Sequence, residues 1–114
     1  MAGVVLPLDD ARRVQVVPTG ETRGKFKYRD GKVTDEPVVF DNGKQVFAFD
    51  AAVAVDGRSL GAVRVESPIR ELPELPFGTV LTGVGTGELR VMPRDQFNVR
   101  VTVVLEGSKD AGAK

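Results

Sequence analysis

Towards the end of the chain, Phe97, Val99, Val101, Val103 and Leu105 fall on one parity, and Gln96, Asn98, Arg100, Thr102 and Glu106 fall on the other. A period of two is the repeat of a pleated strand, whose successive side chains point to opposite faces, and it does not fit the 3.6-residue repeat of a helix. Val104 breaks the polar face only at its end. Similar Val- and Phe-rich alternation recurs over most of the sequence, which constrains the chain to half-buried strands.

Turn chemistry separates these strands. Asn42-Gly43 lies between Val38-Val39-Phe40 and Gln45-Val46-Phe47 and predicts a type I′ hairpin, in which both central residues need positive φ. Asp56-Gly57 separates Phe47–Val55 from Leu60–Val65. Thr19-Gly20, Asp30-Gly31, Gly85-Thr86-Gly87 and Pro93-Arg94-Asp95 mark further reversals. Strands are therefore expected near residues 12–18, 24–29, 37–41, 44–55, 60–66, 78–84, 87–92 and 96–105. Between Val46 and Val55 both parities are apolar, so this strand is either covered on both sides or bends at Asp50. The one helix candidate is Ser67–Leu72, with Ser67 as cap and Pro68 at the first helical position, stopped by Pro73.

Many short strands at this spacing predict an all-β domain: a small antiparallel Greek-key barrel of OB type, with a β-sandwich as the alternative. A long first hairpin, a third strand, a Pro-rich connection and a final hairpin favour the barrel. With 114 residues there is room for one domain, expected over residues 11–106, with residues 1–10 and 107–114 fraying. Val4-Val5-Leu6 is interrupted by Pro7 and followed by Asp9-Asp10, unlike a secretory leader, and no apolar run approaches the roughly 20 residues of a membrane span. A cytoplasmic protein with no membrane association is the expectation.

Composition then limits the chemistry. There is no His and no Cys, which removes thiolate nucleophiles, imidazole bases, Ser-His triads and the usual transition-metal ligands. Among the acids, Asp41, Asp50 and Asp56 sit closest to apolar residues, but turn motifs account for Asp41 and Asp56, leaving Asp50 without a partner for acid–base work. Gly85-Thr86-Gly87 lacks the Lys-Ser/Thr of a phosphate loop. The expectation is a protein that is not an enzyme and takes no cofactor, metal or small-molecule substrate.

The densest local chemistry lies in residues 23–32, where Arg23, Lys25, Lys27, Arg29 and Lys32 interleave with Phe26 and Tyr28, opposed only by Asp30. Rings that stack bases and cations that follow phosphates are what single-stranded nucleic acid requires. An amphipathic strand with its rings in the core and its bases in solvent would read the same way. Arg64, Arg90 and Arg100 fall on outward parities of three expected strands, with Arg94 at a turn between two of them. Adjacent alignment would make them a basic face; isolated, they would be ordinary solubilising residues. The chain's 16 bases and 16 acids cancel, but residues 1–32 hold seven bases to four acids and residues 33–76 hold four to eight.

Val63-Arg64-Val65-Glu66-Ser67-Pro68, then Pro73, Gly78-Thr79, Gly87, Leu89-Arg90-Val91-Met92-Pro93 and Arg100, resembles the replication, integration and excision activator family of actinobacterial integrative plasmids. The resemblance covers roughly residues 37–105 and departs from the family pattern at Glu88, inserted between Gly87 and Leu89. It implies a small accessory protein of a mobile element and supplies no catalytic residues. Together these readings predict a non-catalytic single-stranded DNA-binding protein accessory to replication or excision. Arg23, Lys25, Phe26, Lys27, Tyr28 and Arg29 would contact DNA, with Arg64, Arg90, Arg94 and Arg100 as secondary phosphate contacts. A homo-oligomer, with a dimer favoured, is expected. The alternative is a β-domain that binds proteins or itself without nucleic acid.

Overall fold

The computed structural model describes residues 3–68, 78–93 and 98–110. Its strands are β1 (Val4–Leu8), β2 (Val14–Pro18), β3 (Arg23–Gly24), β4 (Phe26–Arg29), β5 (Lys32–Pro37), β6 (Phe47–Val55), β7 (Arg58–Ser67), β8 (Leu81–Pro93) and β9 (Val99–Asp110). Five of them close into a barrel in the order β2-β6-β7-β9-β8, with β8 returning to β2 through Gln15↔Thr82 and Val16↔Leu81. Numbered along the barrel, that order is first, second, third, fifth, fourth and back to the first, and the result is an OB-like barrel. The barrel is mixed rather than wholly antiparallel, because β7 and β9 run parallel through Arg64↔Thr102, Val65↔Val103 and Glu66↔Val104. A last strand inserted between the third and the fourth must run parallel to one of them, and β9 runs antiparallel to β8.

Inward-facing Val14, Val16, Phe49, Ala51, Val53, Val65, Leu81, Val103 and Leu105 fill the barrel. β6 neither bends at Asp50 nor is covered on both faces: Phe49, Ala51 and Val53 point inward, while Asp50 and Ala52 are exposed on the outer surface. Between β1 and β2 a single 3-10 turn, Ala11–Arg13, is capped by Asp10, whose Oδ1 accepts from the Arg12 N–H at 3.0 Å. Ala11 is fully buried and lies so close to Gly83 that a Cβ there would sit 2.8 Å from the Ala11 Cβ and overlap its carbonyl oxygen.

The Asp-Gly pairs behave as turn chemistry requires. Asp30 and Gly31 (φ 52° and 75°) join Arg29 to its ladder partner Lys32, and Asp56 and Gly57 (φ 52° and 78°) join Val55 to its partner Arg58. Arg13 braces the second turn: its guanidinium grips the Asp56 carboxylate, and its carbonyl accepts the Asp56 N–H at 2.9 Å. That pair holds the Asp56 carboxyl below the usual range, with the Arg13 hydrogen bond as the main cause.

Several expectations are corrected. At Asn42-Gly43 only Gly43 has positive φ (83°), and Gly43 N–H donates to Phe40 O at 2.9 Å while Phe40 N–H donates to Lys44 O. This is a three-residue loop with glycine in the left-handed position, not a type I′ turn, and it leaves one bridge, Val39↔Gln45, where two strand ends were expected. Gly85-Thr86-Gly87 is not a reversal. Gly85 and Thr86 form a bulge opposite Glu106 within one continuous β8, and the Glu106 carboxylate accepts from the Thr86 N–H (2.9 Å) and hydroxyl (3.1 Å).

The expected strand at 24–29 divides at Lys25 into β3 and β4, and β5 was missed because Val33 is its only large apolar residue. The frayed ends were also misjudged: β1 pairs with β8 from Val4↔Val91 to Leu8↔Gly87, and β9 continues to Asp110. The helix candidate beyond Pro68 and the reversal at Arg94-Asp95 lie outside the described residues. Among the described residues, no helix is long and apolar enough to cross a membrane.

Candidate nucleic-acid interface

The connection from β2 to β6 carries β3, β4 and β5 and folds back over the barrel. Its root is knitted by backbone: Lys25 N–H donates to Val46 O (2.9 Å), Val38 N–H donates to Lys25 O (2.8 Å) and Val46 N–H donates to Val38 O (2.8 Å). Above that root the Asp30-Gly31 turn projects the β4–β5 hairpin, with Tyr28 directly opposite Val33. Between the hairpin and the barrel runs a groove of about 810 Å³.

The barrel supplies the floor of this groove. Ladder register places Asp50 beside Arg64, Arg64 beside Thr102 and Thr102 beside Arg90, so four neighbouring strands present these residues in one row on one face. Arg100 follows two residues before Thr102 on that same face, opposite Met92. Arg64 and Arg90 thus stand two strand spacings apart, roughly 10 Å. The hairpin side contributes Arg23, Lys25, Phe26, Tyr28 and Val33.

Seven of the expected residues therefore meet in one groove: Arg23, Lys25, Phe26, Tyr28, Arg64, Arg90 and Arg100. The rings do not enter the core. Tyr28 is 70% exposed, and Phe26 is half-buried with its ring edge against Gly24, where a Cβ would come within 3.2 Å of it. Lys27 and Arg29 do not join the groove lining; strand parity turns them the other way, and both bind Glu36, at 3.1 and 2.8 Å. Arg94 lies outside the described residues.

Two carboxylates, Asp50 and Glu66, stand against the five bases of the groove. Glu66 is only 6% exposed, and its oxygens are 3.2 Å from Lys25 Nζ and 3.2 Å from Arg64 Nε. A carboxylate so far out of water needs cationic partners, and here two groove bases are also its counter-ions. Arg90 is held by Glu88 at 3.0 Å. Among the described residues, Arg23 and Arg100 have no carboxylate partner.

No family model, curated protein or solved structure matches the chain. The site's chemistry thus rests on its own geometry. Glu66 is the one functional-looking residue that sequence reasoning passed over; its place two residues after Arg64, on the same strand face, was the available signal. A second groove, of about 790 Å³, lies across the Lys25–Glu66 pair. It is lined by Val38, Val39 and Phe40 and by five carboxylates, including Asp9, Asp41 and Glu106, against two bases, Lys25 and Arg90, so its charge is opposite in sign to that of the first. Asp41 lines this second groove, Asp50 the first and Asp56 neither, so the three acids weighed for catalysis are not gathered at one site.

Proposed function

We propose that the chain binds single-stranded DNA, with little sequence preference, in the groove between the β4–β5 hairpin and the barrel. The observation that carries this reading is an exposed Tyr28 lining the same open groove as Arg64, Arg90 and Arg100, which share one face of the barrel. OB barrels take oligonucleotides on the face of their second and third strands, between the connections of strands one to two and four to five. Here β6, β7, the hairpin and the facing ends of β8 and β9 occupy those positions. The ring offers a stacking platform indifferent to base identity, and the arginines follow the backbone.

A labelled oligothymidine titrated by fluorescence anisotropy tests the proposal. Stacking contributes about 1–3 kcal/mol per base, so Tyr28→Ala weakens binding roughly 5- to 150-fold. Because Tyr28 is mostly solvated, its loss leaves the melting temperature unchanged. With four or five phosphates neutralised, the slope of log K against log salt is about −3. Flat titrations at low salt would sink the proposal.

The place of such a protein, in the cytoplasm and accessory to replication or excision of a mobile element, is read from the Gly-Pro skeleton of residues 63–100. A domain that binds only protein is the second reading, and the exposed apolar β1 is what favours it.

A further inference from the structure

β1 ends the sheet order, paired on one side with β8 and, among the described residues, with nothing on the other. Its Val4, Val5 and Leu6 are 53%, 48% and 48% exposed, and no charged residue occurs from Gly3 to Leu8. Proteins usually blunt an open edge with charges, proline or a bulge. The other open edges here follow that rule. The β7 edge carries Arg58 and a bulge at Leu60-Gly61, and the β4–β5 hairpin carries Lys27, Arg29, Lys32, Asp35, Glu36 and Pro37. β1 has only Pro7, near its end.

We infer that β1 pairs antiparallel with β1 of a second copy about a two-fold axis centred on Val5. In that register Val5 faces its own counterpart, Val4 faces Leu6, and Gly3 faces Pro7, so the smallest residue meets the one that cannot donate. An uncharged strand offers a charged partner nothing to select, whereas pairing with itself opposes no like charges. The chain's equal numbers of bases and acids add no long-range repulsion between copies. The joined β1 strands extend the sheet through β8 of both copies.

Multi-angle light scattering after size exclusion reads the outcome directly, and it is independent of DNA binding, since none of the groove residues lies on β1. Wild type runs at twice 12.2 kDa, and Val5→Lys, which sets two ammonium groups face to face, runs at 12.2 kDa with unchanged circular dichroism. The chain has no Cys, so Val5→Cys isolates the contact: mild oxidation cross-links it across the axis much faster than Val84→Cys, an exposed site on β8. A monomeric wild type at several hundred micromolar, a Val5→Lys variant that stays dimeric, or equal cross-linking of the two cysteine variants would each overturn the inference.

Discussion

Glu66 is the residue through which the proposed binding groove can be tuned. Lys25 from the hairpin root and Arg64 from its own strand both pair with it, so part of their charge is already countered within the groove. Replacing Glu66 by Gln keeps the shape but removes the charge and one of the two acceptor oxygens that Lys25 and Arg64 use, which releases the two cations. Glu66→Gln should bind oligothymidine more tightly than wild type, with a salt slope steeper by about 0.7 for each further phosphate engaged. Unchanged affinity would mean that Lys25 and Arg64 do not face DNA. Lys27→Ala and Arg29→Ala supply the contrast, since both side chains point to Glu36 and their loss should cost less affinity than Arg100→Ala. The roles of Lys25 and Lys27 were not separable in the sequence. Both are Lys beside an aromatic, and what distinguishes them is a carboxylate 41 residues away from one and 9 from the other.

At the level of elements, local chemistry was legible and distant pairing was not. The Asp30-Gly31 and Asp56-Gly57 turns could be read because positive φ is a property of the residues themselves. Gly85-Thr86-Gly87 carries the same composition as a turn, yet it is a bulge, because the strand opposite continues through it and Glu106 ties Thr86 in place. β1 was hidden by Pro7, which an edge tolerates and a central strand does not. The bulge titrates. Glu106 accepts from the Thr86 backbone N–H first and its hydroxyl second, and both depress its carboxyl below the ordinary value. A depressed folded value means stability that is complete above the unfolded pKa, near 4.3, and is lost as pH falls through the folded one. Thermal melts of wild type should therefore drop as pH falls below the unfolded carboxylate value, and Glu106→Gln should show a shallower drop. Equal acid sensitivity would exclude the bulge as a contributor.

Across the whole molecule, the OB-like closure was readable from strand number and spacing, while the division of its surface into two grooves was not. The basic groove and the acidic one share Lys25, Glu66 and Arg90 as a common wall, which a charge count along the chain blends into zero. Two copies joined through β1 would carry two basic grooves on one oligonucleotide, raising apparent affinity on longer strands without a new contact.

The parallel pairing of β7 with β9 also governs when this barrel can exist. β9 lies between β7 and β8, so the strand made last is the one that seals the wall and brings in Val103 and Leu105. A chain lacking residues 99–110 has the β7 and β8 edges open and an unroofed core, and apart from the tight β6–β7 hairpin its remaining pairings close long connections. Closure of the barrel therefore waits on β9, and a truncation after Asn98 should expose its amides to rapid hydrogen exchange throughout β6 and β7, far from the cut.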